Sequence, residues 1–242
     1  MNSLLQECAL DETCAYLPDQ SQTTHYKIIE QCSKEQCAFL IERGWRRFGN
    51  MFFRPICQDC NACESIKIDV SNFSFSKSQR RILKKAAHFH SRMQTPSMSK
   101  EHLELFKKYH DHMEQKRQWE NHNVSANGYY ASFVHGYSNF GYEILYYDQE
   151  KLIGVDLIDM LPEGISSIYF YYDPDYEPYS LGTYTLLQQI MLAQEHQLSW
   201  IYLGYYVQEC QSLNYKNRYK PYLTLQGRPS EYNLPLWVLL DT

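Results

Sequence analysis

Between residues 142 and 203 the chain carries a pattern that few folds satisfy. Three short runs, Tyr142–Tyr147, Leu152–Ile158 and Ile165–Tyr172, read as strands separated by turns at DQEK and LPEG. Tyr172-Asp173-Pro174 stops the third run. A long apolar helix is predicted from Leu181 to about His196, with Ser180 as its cap, and a further strand follows at Trp200–Leu203. A meander, then a helix, then another strand describes an α+β mixed sheet with a crossover helix. The 242 residues suffice for one large domain or two modest ones with a real core. No window approaches the roughly 18 consecutive apolar residues of a membrane span. The start, MNSLLQECALDET, lacks a basic n-region and an apolar h-region, so the expectation is a cytoplasmic protein with no membrane partner.

Charge is unevenly spread. The chain carries 23 Lys/Arg and 28 Asp/Glu, a net charge of -5, which taken alone argues against a nucleic-acid partner. From Arg43 to Arg92, however, 11 basic residues face only Asp59, Glu64 and Asp69, a net of +8. From Gly141 to Ser180 nine acids face the single base Lys151, a net of -8. The two blocks nearly cancel, and the basic one is suited to an anionic partner. Two oppositely charged faces that solvate the fold or attract each other are the plainer alternative.

A helix is predicted from about Ser76 to His88. On a helical wheel Ile82, Leu83, Ala86 and Ala87 share one arc, and Lys77, Arg80, Arg81, Lys84, Lys85 and His88 fill the other. One side suits a core and the other suits anions. Ser33, with Glu35 and Gln36 behind it, reads as the cap of an earlier helix ending at Gly44, and residues 64–70 alternate as a strand. The stretch Met93–Ser99 is the best domain boundary, ahead of a helix over about Lys100–Trp119. This gives a Cys-rich basic N-terminal domain over residues 1–92 and a mixed-sheet domain over residues 93–242.

Eight cysteines in a chain without a signal peptide predict reduced thiols. Cys57, Cys60 and Cys63 have the spacing that brings thiolates to one metal around a tight turn, with Cys14 as the natural fourth ligand. Zinc or an Fe–S cluster is the candidate occupant. The competing reading is a set of small buried apolar side chains.

The N-terminal motifs are specific. Cys14-Ala15-Tyr16-Leu17-Pro18, Gly44-Trp45-Arg46-Arg47-Phe48-Gly49, Phe53-Arg54-Pro55-Ile56-Cys57 with Cys60 and Cys63, and Ser78-Gln79-Arg80-Arg81 together resemble the N-terminal domain of the arginyl-tRNA–protein transferase family. The likeness continues, in order, through Ser167–Pro174, Ser180-Leu181-Gly182, Leu203-Gly204-Tyr205-Tyr206 and Asn214–Pro221. The C-x-Y-L-P form of the first motif is similar to the bacterial, leucyl-transferring branch. Eukaryotic members have C-x-x-C there, and Leu17 leaves that pair incomplete, which weakens the metal expectation. The resemblance implies a GNAT-like acyltransferase domain. It also implies transfer of an amino acid, leucine for this branch, from charged tRNA to proteins beginning with Asp or Glu, marking them for degradation in the N-degron pathway.

Such a reaction asks little of an enzyme. The aminoacyl ester is already activated, so no cofactor is required, and an α-amine has an ordinary pKa of about 7.7–8.0. Alignment, proton removal and stabilisation of the oxyanion remain. A period of two places Ser167, Tyr169, Tyr171 and Asp173 on one face of their strand. Those residues and Asp156, in GVDLID, are the candidate catalytic groups. Ser180 and Gly182, at a helix start, suit a phosphate. Lys77, Arg80, Arg81 and Lys84, with Lys216, Arg218 and Lys220, form the expected tRNA footprint. Arg47 and Arg54 are the candidate guanidinium groups for an acidic peptide N-terminus. Tyr205 and Tyr206 suit the terminal adenine or the aminoacyl pocket.

Three other readings stand beside this one. Arginine in place of leucine is not separable on physical grounds. An acyl-CoA donor is disfavoured because SLGTY stands where an R/Q-x-x-G-x-G/A pyrophosphate loop belongs. A non-catalytic Cys-rich RNA-binding protein would not need the Tyr/Asp face of the sheet.

Overall fold

A computed structural model of the chain describes residues 3–119, 124–136 and 139–240. The chain opens with a hairpin, β1 (Ser3–Thr13) and β2 (Ser21–Glu30). α1 (Lys34–Glu42) follows, and its predicted cap Ser33 accepts a hydrogen bond from the Gln36 N–H at 3.1 Å. β3 (Arg46–Phe48) and β4 (Met51–Pro55) complete a four-stranded sheet in the order β1-β2-β4-β3. Leu40, Ile41, Trp45 and Phe52 are buried in a core that also takes in Phe140, Leu161 and Tyr202 from the second half of the chain.

The rest of the chain builds an eight-stranded sheet. Its elements are β5 (Glu64–Asp69), α2 (Lys77–Lys85), β6 (His90–Gln94), α3 (Lys100–Arg117), α4 (Ala126–Phe133), β7 (Gly141–Asp148), β8 (Lys151–Met160) and β9 (Gly164–Tyr172). A short 3-10 turn at Pro174–Tyr179 leads to α5 (Leu181–Glu195) and β10 (Trp200–Tyr206). A second 3-10 turn at Asn214–Arg218 precedes β11 (Tyr222–Leu225) and β12 (Trp237–Leu240). The strand order is β12-β11-β5-β10-β9-β8-β7-β6. β9 and β10 pair in parallel across α5, and the other ladders are antiparallel. This is the mixed α+β sheet with a crossover helix that the strand–helix–strand pattern predicts.

The expected boundary near residue 93 is not a break in the sheet. β5 pairs with β10 and β11, and β6, which includes Met93, pairs with β7. The separate small sheet therefore ends at Pro55, and residues 64–94 belong to the large one. Extended segments take their partners from distant parts of the chain, which local composition does not reveal.

The large sheet buries both faces. α5 and α2 cover one, where Ile66, Ile68, Ile144, Tyr146, Ile190 and Ile201 pack together. α3 and α4 cover the other, over Leu145, Val155, Leu157 and Tyr171. The strict alternation expected along β9 fails at one point. Ser167 lies opposite Ile158 and Tyr169 opposite Leu157, so Ile168 is an extra residue in the ladder. The bulge turns Ser167 towards α5 and leaves Tyr169 and Tyr171 facing α3 and α4, so the four residues do not share a face.

Candidate active site

The parallel ladder between β9 and β10 is short. It runs from Gly164 opposite Trp200 to Ser166 opposite Tyr202. Beyond that point β9 stays with β8 to Tyr172, while β10 stays with β5 to Tyr206. Two neighbouring strands thus part in the middle of a sheet and leave a crevice, with Ser167, Ile168, Tyr169 and Phe170 half-buried along one wall.

Arg46, from β3, fills the root of that crevice. Its guanidinium donates to the Ser167 and Tyr202 carbonyls and to Ser166 Oγ (3.2 Å). It replaces ladder hydrogen bonds that the parted strands no longer make, and buried carbonyls need such partners. Burial pulls the Arg46 pKa below its ordinary value, and nearby Tyr205 and Asp159 oppose that. Gly204, on the opposite strand, has φ +77° and no room for a side chain against this guanidinium.

Asp156 lies on the α5 side of β8, fully buried. Gln189 of α5 donates from Nε2 to Asp156 Oδ2 at 2.7 Å and to Ser167 Oγ at 3.2 Å. Among the described residues, Asp156 Oδ1, Gln189 Oε1 and the Tyr146 hydroxyl are buried without a hydrogen-bond partner. Burial pushes the Asp156 pKa up to about 7, with the Gln189 hydrogen bond opposing the rise. A carboxyl poised there changes protonation around neutral pH. It reaches the crevice only through Gln189 and Ser167, two side chains away. Tyr215, from the second 3-10 turn, feels the Asp156 charge, and burial pushes its phenol up to about 12. The sequence shows Tyr215 only as part of a motif, and nothing in its spacing announces that it feels the Asp156 charge.

On the α3 side of β9, Tyr169 OH and His110 Nε2 are 2.9 Å apart with their rings stacked. Burial raises the Tyr169 pKa. His110 sits near the middle of α3, and no sequence signal links it to Tyr169.

Several expected site residues are committed elsewhere. Arg47 is buried, with Nε 2.8 Å from Asp159 Oδ2, a second contact from Nη2 to the same carboxylate, and donation to the Gly49 and Gly136 carbonyls. It joins β3 to β8 rather than facing a substrate. Arg54 lies over the Trp45 ring and donates to the Pro229 carbonyl at 2.8 Å. Tyr171 is in the core, its hydroxyl 2.6 Å from that of Tyr129. Asp173 binds Lys108 Nζ at 2.5 Å and Lys151 Nζ at 2.8 Å. Burial raises its pKa, but those lysines and the Asp175 N–H outweigh it and hold the carboxyl below its ordinary value. Lys216 is buried, not part of a phosphate-facing surface. It donates to the Tyr205 carbonyl at 2.6 Å, and burial pulls its pKa down to about 7, with Arg46 adding to the fall. Tyr205 is a buried strut, its hydroxyl near the Gly44 (3.0 Å) and Phe53 (3.2 Å) carbonyls, while Tyr206 accepts from Asn217.

The basic face is as expected in exposure. Lys77, Arg80, Arg81 and Lys84 are exposed on α2, and Arg218 and Lys220 are exposed near β11. Lys85 donates to the Pro178 carbonyl at 2.7 Å, which ties α2 to the turn before α5. Ser180 and Gly182 are exposed at that helix start. Ser180 does not cap it: φ is +56° and its side chain makes no capping bond, because the residue also closes the preceding 3-10 turn.

The four cysteines of the expected cluster lie near one another. Burial pushes the Cys63 pKa up, and Cys14, Cys57 and Cys60 are near enough to add to it. Cys14 Sγ accepts from the Leu17 N–H at 3.4 Å, and Arg228 donates to the Cys57 and Cys60 carbonyls at 2.6 Å each. Among the described residues no group of three or more His, Cys, Asp or Glu is arranged to hold a metal ion. No chemistry is assigned to a metal here. No helix among the described residues is long and apolar enough to cross a membrane.

Residues 12–81 match the family model for the N terminus of arginine-tRNA-protein transferase, and residues 101–226 match that for its C terminus. The chain belongs to the arginyl-tRNA–protein transferase family. An aspartate/glutamate leucyltransferase of Campylobacter jejuni is 48% identical over 95% of this chain and 97% of its own. One from Helicobacter hepaticus is 37% identical over 95% of each chain. Among solved structures, the L-PGS of Bacillus licheniformis is 15% identical, covers 70% of this chain and 61% of its own, and has a TM-score of 0.49.

Proposed function

We propose that this transferase moves leucine from leucyl-tRNA to the N-terminal Asp or Glu of proteins, in the cytoplasm, where charged tRNA is available. The observation that carries this reading is the 48% identity to an aspartate/glutamate leucyltransferase across nearly the whole of both chains. The new N-terminal leucine would mark the acceptor for degradation.

Chemically the crevice need only hold the ester and the amine together. The amine nitrogen bonds to the ester carbonyl carbon, the carbon–oxygen bond to the ribose breaks, and the ribose oxygen takes the proton that nitrogen loses. No strong base is consumed, because the α-amine is partly neutral near pH 7.7–8.0. Asp156 acts at one remove, through Gln189, and Tyr169 with His110 lies on the other face of β9. The cations of α2, with Ser180, Gly182 and Lys220, are exposed, and in this reading they meet tRNA phosphates.

The deciding experiment incubates the protein with leucyl-tRNA or arginyl-tRNA and peptides beginning with Asp, Glu, Arg or Lys. Leucine on the Asp and Glu peptides supports the reading. Transfer of arginine alone overturns the choice of amino acid, and no transfer from either donor overturns the function.

A further inference from the structure

The hydrogen bonds around Ser167 have a direction. Gln189 Nε2 has two hydrogens, one spent on Asp156 Oδ2 and the other on Ser167 Oγ. Asp156 is ionised above about pH 7, where the acceptor amine also becomes neutral. Rotating the amide would then set Gln189 Oε1 against the carboxylate, acceptor against acceptor, so the ionised carboxylate fixes which way the amide points. Ser167 Oγ therefore accepts, and its own hydrogen is left to donate. Among the described residues it has no acceptor. The backbone beneath it is pinned as well, since Arg46 holds the Ser167 carbonyl. Ser167 is also the first residue of β9 beyond its ladder with β10, half-buried where Gly164, Ile165 and Ser166 are buried. The bulge at Ile168 is what turns it to this side.

We propose that the Ser167 hydroxyl donates to the carbonyl oxygen of the donor ester as that oxygen becomes an oxyanion, and that Gln189, anchored by Asp156, is the positioning residue that aims it. This rests on the aminoacyl-transfer reading above. As the amine nitrogen bonds to the carbonyl carbon, the C=O electron pair moves onto oxygen, where the fixed hydroxyl meets it. Collapse of that intermediate expels the ribose oxygen with its bonding pair, and the proton from nitrogen passes to it. A donor fixed before the reaction costs no reorganisation when the charge develops.

The test measures kcat and KM for leucyl transfer to an Asp-initiated peptide, with arginyl-tRNA as a second donor. Ser167→Ala lowers kcat by roughly 100-fold, the usual effect of removing one oxyanion donor. KM for tRNA and peptide stays close to wild type, and Ser167→Thr, which keeps the hydroxyl, restores most of the rate. Gln189→Ala lowers kcat in the wild-type background but has little further effect beside Ser167→Ala, since its role passes through that hydroxyl. Circular dichroism and melting of each variant report folding separately. If the wild type transfers an amino acid and folded Ser167→Ala keeps its kcat, the inference fails while the reading stands. Additive losses for the two variants overturn the positioning role. A wild type inactive with both donors overturns reading and inference together.

Discussion

A Cβ on Gly204 would sit 2.8 Å from Arg46 Nε, inside the group that bridges β9 and β10 where they part. Gly204 of β10 and Arg46 of β3, 158 residues apart in the chain, are therefore two halves of one device. Gly204→Ala adds strain at φ +77° to this clash and should destabilise the fold by about 2 kcal/mol or more. Chemical denaturation measures it. The same variant should lose transfer activity beyond its loss of stability, because Arg46 must move away from the Ser167 carbonyl. A variant of wild-type stability and rate would show that the crevice tolerates a displaced guanidinium.

Arg47 and Asp159 form an ion pair with both side chains almost fully buried. Arg47→Ala leaves the Asp159 carboxylate buried and unpaired, and a loss of about 3–5 kcal/mol is expected. Replacing both partners together, as Arg47→Met with Asp159→Leu, should recover most of it, since desolvation of the pair disappears along with its attraction. A substrate-binding arginine behaves differently: its loss raises the KM for Asp peptides in a protein of normal stability. Urea titrations of the single and double variants, with peptide KM values alongside, separate the two roles.

What was legible in the sequence is what local pattern can encode. The meander at residues 142–172, α5 and the amphipathic α2 are visible because their apolar periodicity is dictated by the face each must bury. Asp156 is visible as an acid within GVDLID, but Asp159 stands three residues on in the same strand, and whether either faces solvent or the core is decided by the neighbouring elements rather than by local pattern. The β1–β2 hairpin and β11–β12 are not visible, as their partners rather than their composition make them strands. The bulge at Ile168 is invisible for a related reason: one inserted residue reverses the faces of everything after it without changing composition. Arg47 shows the limit for charges. An arginine in a motif can be held for a buried partner as readily as for a ligand, and only the position of Asp159 decides.

Asp156 should make stability depend on pH with a definite sign. Its folded pKa, about 7, lies above the unfolded value of 3.8, and the facing phenols of Tyr146 on β7 and Tyr215 on the second 3-10 turn are themselves raised by burial and remain neutral. The folded protein thus keeps a proton that the unfolded chain releases. This contribution is complete below about pH 4 and is lost as pH rises through about 7, amounting to roughly 4 kcal/mol. Asp156→Asn has no such loss, so its Tm should gain on wild type between about pH 5 and about pH 8. Melting curves across that range test it, and a Tm difference that stays constant with pH would mean the carboxyl titrates as an exposed one does.

Arg80 and Arg81 are exposed on α2, on the face turned away from Ile82 and Leu83, which pack into the core. Their loss should therefore leave the fold intact, within about 0.5 kcal/mol. If they neutralise tRNA phosphates, Arg80→Gln with Arg81→Gln weakens tRNA binding and lowers the slope of log K against log salt by up to about 1.5, the release of two counterions. The effect should be the same for charged and uncharged tRNA, because phosphate contacts read backbone rather than the aminoacyl group. Salt titrations of both forms decide it. An unchanged slope would place the tRNA on a different surface and leave the basic face of α2 as a solvated one.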